Sequence, residues 1–127
     1  MVEQNGIYKC EHCGNIVSVI EAKAPPLVCC GESMKLLEAK SEDEGQEKHV
    51  PVIEINGTNV KVKVGDVPHP MEEEHHIALI QIVRNGKVIT GKRLYPGEAP
   101  EAEFCLENTE GISAKEVCNV HGLWTSS

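Results

Sequence analysis

Val52-Ile53-Glu54-Ile55-Asn56-Gly57-Thr58-Asn59-Val60-Lys61-Val62-Lys63-Val64 decides the fold class. Val52-Ile53-Glu54-Ile55 and Val60 to Val64 are β-branched runs. Between them stands Asn56-Gly57, a strong short hairpin signal, because both positions of a tight primed turn need positive φ. Val60, Val62 and Val64 alternate with Lys61 and Lys63, so one face of this strand is wet and the other packs inward. The same grammar continues downstream. His75 to Val83 is nearly all apolar on both phases, as expected of a covered central strand. Asn85-Gly86 is a second hairpin turn leading into Val88-Ile89-Thr90, and Tyr95-Pro96-Gly97 punctuates again. Ala102, Phe104 and Leu106 alternate with Glu103, Cys105 and Glu107, and a final strand is expected over Val117 to Trp124. Short strands at this spacing predict an all-β sandwich or barrel over residues 49–127. Core volume must come from Val, Ile and Leu, since the chain has one Trp, two Tyr and one Phe.

Upstream the composition changes. Residues 38–48 hold Glu38, Glu42, Asp43, Glu44 and Glu47 against Lys40 and Lys48, with Ser, Gly and Gln, and read as an acidic linker. Residues 1–37 form a separate small unit. Ile7-Tyr8-Lys9 is a strand running into a turn through Cys10-Glu11-His12-Cys13-Gly14-Asn15, Ile16 to Ile20 is a second strand, and Pro25-Pro26 breaks the chain before Cys29-Cys30-Gly31. A unit this short buries too little apolar surface to fold unaided, so a staple is expected.

Charge and hydropathy exclude several classes. The formal net charge is −8 with no basic patch, which argues against nucleic-acid binding. No apolar run approaches the ~20 residues of a membrane span. Met1-Val2-Glu3-Gln4-Asn5-Gly6 lacks the basic start and apolar stretch of a secretory leader, so a cytoplasmic protein is expected. In a reducing compartment, six cysteines beside six histidines read as metal ligands before disulfides.

Two constellations carry the chemistry. Cys10-x-x-Cys13 with Cys29-Cys30 sets four thiols within 21 residues. A tetrahedral thiolate site implies zinc or iron, and a zinc staple or an iron electron-transfer site would both produce this spacing. Cys29 and Cys30 are adjacent, so both can reach one ion only if the backbone is distorted there. The second constellation is His49, His69 in Pro68-His69-Pro70, His75, and Cys118-Asn119-Val120-His121, all at segment ends. Five protein donors exceed the four that zinc prefers, so if all bind one ion, iron is favoured. Four imidazoles in a plane with an axial thiolate would leave the opposite position open to a small ligand. His12 and His76 read as surface residues and Cys105 as a thiol that ligates nothing.

Cys10-x-x-Cys13-Gly14-Asn15, Cys29-Cys30, Glu47-Lys48-His49-Val50-Pro51, His69-Pro70-Met71-x-x-x-His75-x-Ile77 and Cys118-Asn119-x-His121-Gly122, in that order and over the whole chain, resemble desulfoferrodoxin, the two-iron superoxide reductase family. The resemblance implies a desulforedoxin-like (rubredoxin-like) metal domain over 1–37, a linker over 38–48 and an immunoglobulin-like β-sandwich over 49–127. It implies two iron ions per chain. Cys10, Cys13, Cys29 and Cys30 would hold one. His49, His69, His75 and His121 would be equatorial ligands of the other, with Cys118 axial. Glu47 and Lys48 match the family's pair beside the open site. The activity implied is one-electron reduction of superoxide to hydrogen peroxide without dioxygen release, with a rubredoxin-like donor and a homodimer. Two competing readings remain on the residues alone: a rubredoxin-like electron carrier with a secondary metal site, and a zinc-stapled binding module.

Overall fold

The computed structural model describes residues 2–23, 26–41, 49–64 and 70–126. Glu47, Lys48 and His69, together with Pro25 and Pro68, lie outside the described residues. The chain divides into two compact units, Met1–Glu38 and Ala39–Ser127. Every regular element among the described residues is a strand, and none of those residues forms a helix long and apolar enough to cross a membrane.

In the first unit β1 (Ile7–Lys9) lies between β2 (Ile16–Ser18) and β5 (Lys35–Leu36), antiparallel to both. A separate two-stranded hairpin joins β3 (Val28–Cys29) to β4 (Glu32–Ser33). Sequence reading gave only the first two of these strands. The others are two residues long, too short to leave a periodic pattern. Ile7, Tyr8 and Cys10 are the buried side chains of this unit.

The second unit is an immunoglobulin-like β-sandwich. One sheet runs β10 (Glu101–Cys105), β7 (Asn59–Val64), β6 (Pro51–Asn56). The other runs β12 (Gly122–Thr125), β11 (Ile112–Cys118), β8 (Ile77–Arg84), β9 (Lys87–Arg93). The inward valines Val60, Val62 and Val64 and Ala102 meet Ile77, Ile80, Ile82, Leu94, Ala114 and Cys118 in one core. Outside, Lys61 reaches Glu101 at 2.9 Å and Lys63 reaches Glu54 at 3.4 Å, the wet face that the alternation requires.

Two expectations need correction. The β6–β7 turn is centred on Gly57-Thr58, not Asn56-Gly57, because Asn56 pairs with Asn59. Only Gly57 has positive φ (65°), as a type II′ turn requires. This register sets Val60, Val62 and Val64 opposite Ile55, Ile53 and Pro51, so all three valines gain a partner strand. The Asn85-Gly86 turn, by contrast, has both residues at positive φ, 51° and 74°. The second correction concerns Val117 to Trp124. It is two strands, β11 ending at Cys118 and β12 beginning at Gly122, folded back around Asn119-Val120-His121. Gly122, at φ 92°, makes that reversal possible.

Candidate metal centres

The four N-terminal thiols converge by two different local devices. In Cys10-x-x-Cys13 a tight turn, closed by Gly14 N–H on the Cys10 carbonyl (2.9 Å) and Cys10 N–H on that of Asn15 (2.8 Å), aims the Cys13 N–H at the Cys10 sulfur (3.5 Å). Gly14, at φ 84°, allows it. Cys29 ends β3, and Cys30-Gly31 forms the β3–β4 turn with both residues at positive φ, 53° and 78°. Holding Cys30 in the left-handed region costs on the order of 1–2 kcal/mol. That strain is the backbone distortion by which two neighbouring cysteines face one point. Cys13 Sγ lies 3.6 Å from Cys29 Sγ, and Cys29 Sγ 4.0 Å from Cys30 Sγ. Metal–sulfur bonds of about 2.3 Å in a tetrahedron place sulfurs roughly 3.8 Å apart, so the donors fit a metal ion. The Asn15 amide donates to Cys29 Sγ (3.7 Å), and His12 pairs with Glu32 at 2.9 Å on the exposed side.

The thiols are electrostatically unequal. Hydrogen bonding from the Cys13 N–H, and secondarily from that of His12, holds Cys10 down to about 6 against the opposing effect of burial. Cys30 is pushed up to about 12, first by its hydrogen bond to Cys10, and Cys29 is raised for the same leading reason. Four sulfurs this close resist joint ionisation until a cation joins them.

The second constellation gathers at one end of the sandwich. His49 and His75 each stand two residues before a strand, β6 and β8, Cys118 ends β11 and His121 immediately precedes β12. Their donor atoms all lie within 4.8 Å of one another. His49 and Cys118 are buried, His75 half-buried and His121 exposed. His121 Nδ1 lies 3.1 Å from His49 Nε2, close to the roughly 3.0 Å between two nitrogens bound at right angles to a metal at about 2.1 Å. Cys118 Sγ lies 3.9 Å from His121 Nδ1. The His121 ring meets those of His49 and His75 edge-on, with centroids 4.8 and 5.0 Å away. Soft sulfur and imidazole nitrogen together suit a transition metal such as iron.

The supports of this group are specific. Register slips between Val117 and Cys118, leaving Ala78 of β8 as the extra residue. The Ala78 carbonyl accepts the Leu94 N–H (2.9 Å) and the Arg93 guanidinium (2.8 Å). Such bulges re-aim side chains, here Cys118. Asn119 fastens the histidine loop: its Oδ1 accepts the His76 N–H (2.9 Å), its Nδ2 donates to the Glu74 carbonyl (3.0 Å), and its own N–H donates to the His76 carbonyl (3.2 Å). His76 Nδ1 lies 3.1 Å from the Glu72 carbonyl, away from the ligand cluster.

Eight of the nine sequence-selected ligands thus fall into two groups, Cys10, Cys13, Cys29 and Cys30, and His49, His75, Cys118 and His121. Cys105 is exposed beside Thr58, and His12 and His76 belong to neither group. Sequence reading missed the roles of Asn119, Arg93 and Trp124, whose ring stacks on His49 with centroids 4.7 Å apart. Of these, the single tryptophan next to a ligand-bearing turn carried the most usable signal.

Residues 41–127 match the desulfoferrodoxin family and residues 2–37 the desulfoferrodoxin N-terminal domain. The chain is 52% identical to a desulfoferrodoxin homolog of Archaeoglobus fulgidus, covering 99% of both chains. It is 53% identical to the desulfoferrodoxin of Nitratidesulfovibrio vulgaris, covering 98% of this chain and 97% of that one. Its fold superposes on the crystal structure of the superoxide reductase from Treponema pallidum with a TM-score of 0.74 at 32% identity, covering 96% and 97% of the two chains. With its four-cysteine group and its His/Cys group matching the two-iron pattern, the chain belongs to the desulfoferrodoxin family, among proteins of superoxide reductase type.

Proposed function

We propose that this chain is a superoxide reductase. The observation that carries the reading is the convergence of His49, His75 and His121 with the buried Cys118 at one end of the sandwich, a mixed imidazole and thiolate donor set that suits a transition metal such as iron. Iron would be held there by the imidazoles of His49, His69, His75 and His121 and the thiolate of Cys118. In its ferrous state it would supply the one electron that, with two protons, converts superoxide to hydrogen peroxide.

The residues around it have separable tasks. The chain carries a net charge of −8, so attraction of an anion must be local. Lys48, next in sequence to His49, would provide it, one ammonium focusing superoxide and helping protons reach it. Glu47 would offer a carboxylate able to take the substrate's place after product leaves. Cys118 would donate electron density to a metal held there, as a soft thiolate does. Cys10, Cys13, Cys29 and Cys30 hold the second iron. The exposure of Cys13 and Cys30 supports electron entry from a rubredoxin-like donor. The family resemblance implies a homodimer. Cysteines used as metal ligands in place of disulfides suit a reducing cytoplasm.

The test is metal analysis and visible spectroscopy of anaerobically purified protein. Two irons per chain are expected, with a thiolate-to-iron band that superoxide restores after reduction and that Cys118→Ser removes. Zinc in place of iron, or a reduced protein inert to superoxide, would overturn the assignment. Lys48→Ala should slow the encounter and flatten its dependence on ionic strength.

A further inference from the structure

Trp124 is the chain's one tryptophan and is 2% exposed in β12. Its ring lies 4.7 Å from the His49 ring and within 14° of parallel. Lys40 Nζ stands 4.9 Å from the Trp124 centroid. The hold of Lys40 does not depend on its side chain. Its N–H donates to the Leu123 carbonyl (3.0 Å) and its carbonyl accepts the Thr125 N–H (2.8 Å), so its backbone straddles Trp124 in a parallel bridge.

A buried tryptophan under a lysine stem is ordinarily core packing. What sets this one apart is the ring it faces. A ligating imidazole binds through a lone pair lying in its own plane, so the orientation of that plane decides whether Nε2 meets the metal. The χ2 torsion of histidine is broad and does not fix the plane by itself. His49 Nε2 already points into the donor cluster, 3.1 Å from His121 Nδ1. A flat, immobile neighbour parallel to the ring restricts that torsion before any metal arrives, which removes an ordering cost from binding.

We propose that Trp124 is the positioning residue of His49, and that Lys40, anchored by its backbone to β12, holds Trp124 in place. The inference rests on the reading of His49 as a metal ligand. It adds a second layer to the site: a cation, an indole and a ligand imidazole aligned in one column, with the bridge at Lys40 connecting the start of the sandwich to the metal group.

The experiment is a cobalt(II) titration of the metal-free full chain, followed by tryptophan emission. Excited at its red edge, the emission reports Trp124 without Tyr8 or Tyr95, and thiolate-to-cobalt absorption is recorded in parallel. Wild-type emission should be quenched as the His/Cys group fills. Trp124→Leu keeps bulk but loses the plane, and should weaken cobalt binding there about tenfold, the lower end for a lost outer-shell partner. In this variant the readout is the part of the thiolate-to-cobalt absorption that Cys118→Ser removes, which separates the His/Cys group from the four-cysteine group. Trp124→Phe restores a flat ring and should stay within about threefold of wild type. Lys40→Met keeps the backbone bridge, and should shift Trp124 emission and weaken binding measurably. A folded Trp124→Leu variant that binds cobalt like wild type would overturn the proposal, as would a Trp124→Phe variant as impaired as the leucine. If Trp124→Leu does not fold, Lys40→Met decides: unchanged emission and unchanged affinity overturn the column. His49→Ala separates the two readings. If it binds cobalt at this group as tightly as wild type, the ligand assignment itself fails, whatever the Trp124 variants do.

Discussion

Replacing Asn119 by alanine tests whether the histidine loop is held by one side chain. The substitution removes two hydrogen bonds and leaves a third, because the Asn119 N–H still reaches the His76 carbonyl at 3.2 Å. The two losses are unequal. The Glu74 carbonyl, accepting from Nδ2 at 3.0 Å, belongs to an exposed residue, and water can replace the amide at little cost. The His76 N–H, donating to Oδ1 at 2.9 Å, belongs to a half-buried residue against β11, where a stranded donor costs about 1–3 kcal/mol. Together they give a loss of about 1–2 kcal/mol, placed nearer the lower figure because the site is only partly closed to water. For a domain of this size, each kcal/mol moves the melting midpoint by about 4–8 °C, so a fall of roughly 5–15 °C is expected.

The assay must see the sandwich alone, since two units need not melt together. Trp124, buried in β12, supplies that signal in the metal-free protein. A midpoint within about 1 °C of wild type would refute the reasoning, because it would mean that the loop bearing His75 stays seated without the clasp. Asn119→Asp should fall between the two. It keeps an acceptor for the His76 N–H but sets a carboxylate against the Glu74 carbonyl. Cobalt affinity at the His/Cys group should follow the same order, wild type above aspartate above alanine, because the loop that loosens carries a ligand.

Three further outcomes follow from the geometry. Gly122→Ala should destabilise the sandwich by about 1–2 kcal/mol and weaken metal binding by displacing His121; no atom lies within 4 Å of the added Cβ, so the cost is backbone strain at φ 92° alone, and an unchanged denaturant midpoint would show that the turn relaxes freely. In the metal-free protein, thiolate absorbance should show one thiolate forming near pH 6 and one only near pH 12. Cys10 is held below the ordinary 9.0, so its stabilisation is present above pH 9 and is lost as pH falls through 6; Cys30 is raised, so its folded thiol lags the unfolded one and costs stability as pH rises above 9. A single shared titration near 9 would contradict this inequality. Lys61→Met should cost about 0.2–1 kcal/mol, less at high salt, through its contact with Glu101. Its pKa is raised by that glutamate, so the contribution holds below 10.5 and is lost as pH rises through the folded value; equal stability of wild type and variant at low salt would remove it.

What could be read from the chain divides along a physical line. Which face of a sandwich strand turns inward was legible because burial imposes a period of two: Val60, Val62 and Val64 are inward in the structure as in the pattern, and Lys61 and Lys63 outward. The donor groups were legible because ligating side chains are scarce types with few other uses. What stayed hidden was wherever one residue obeyed two rules. Val117 to Trp124 reads as one apolar strand, yet Asn119 and Gly122 bend it, and the breaker signals were outvoted by the hydrophobic residues around them. Cys29-Cys30 carried its own warning, since adjacent side chains point apart; the structure answers with a left-handed Cys30, a conformation that propensity disfavours and that only the thiol cluster justifies. Glu116 is the sharpest case. In Lys115-Glu116-Val117 it looks like a surface charge, but its register opposite Ile80 and Trp124 buries it completely, two residues from Cys118. A carboxyl is not taken out of water without compensation. At Asn119 to Gly122, Cys30 and Glu116 the local rules failed beside the metal groups, where the fold gives up ordinary preferences to hold donors in place.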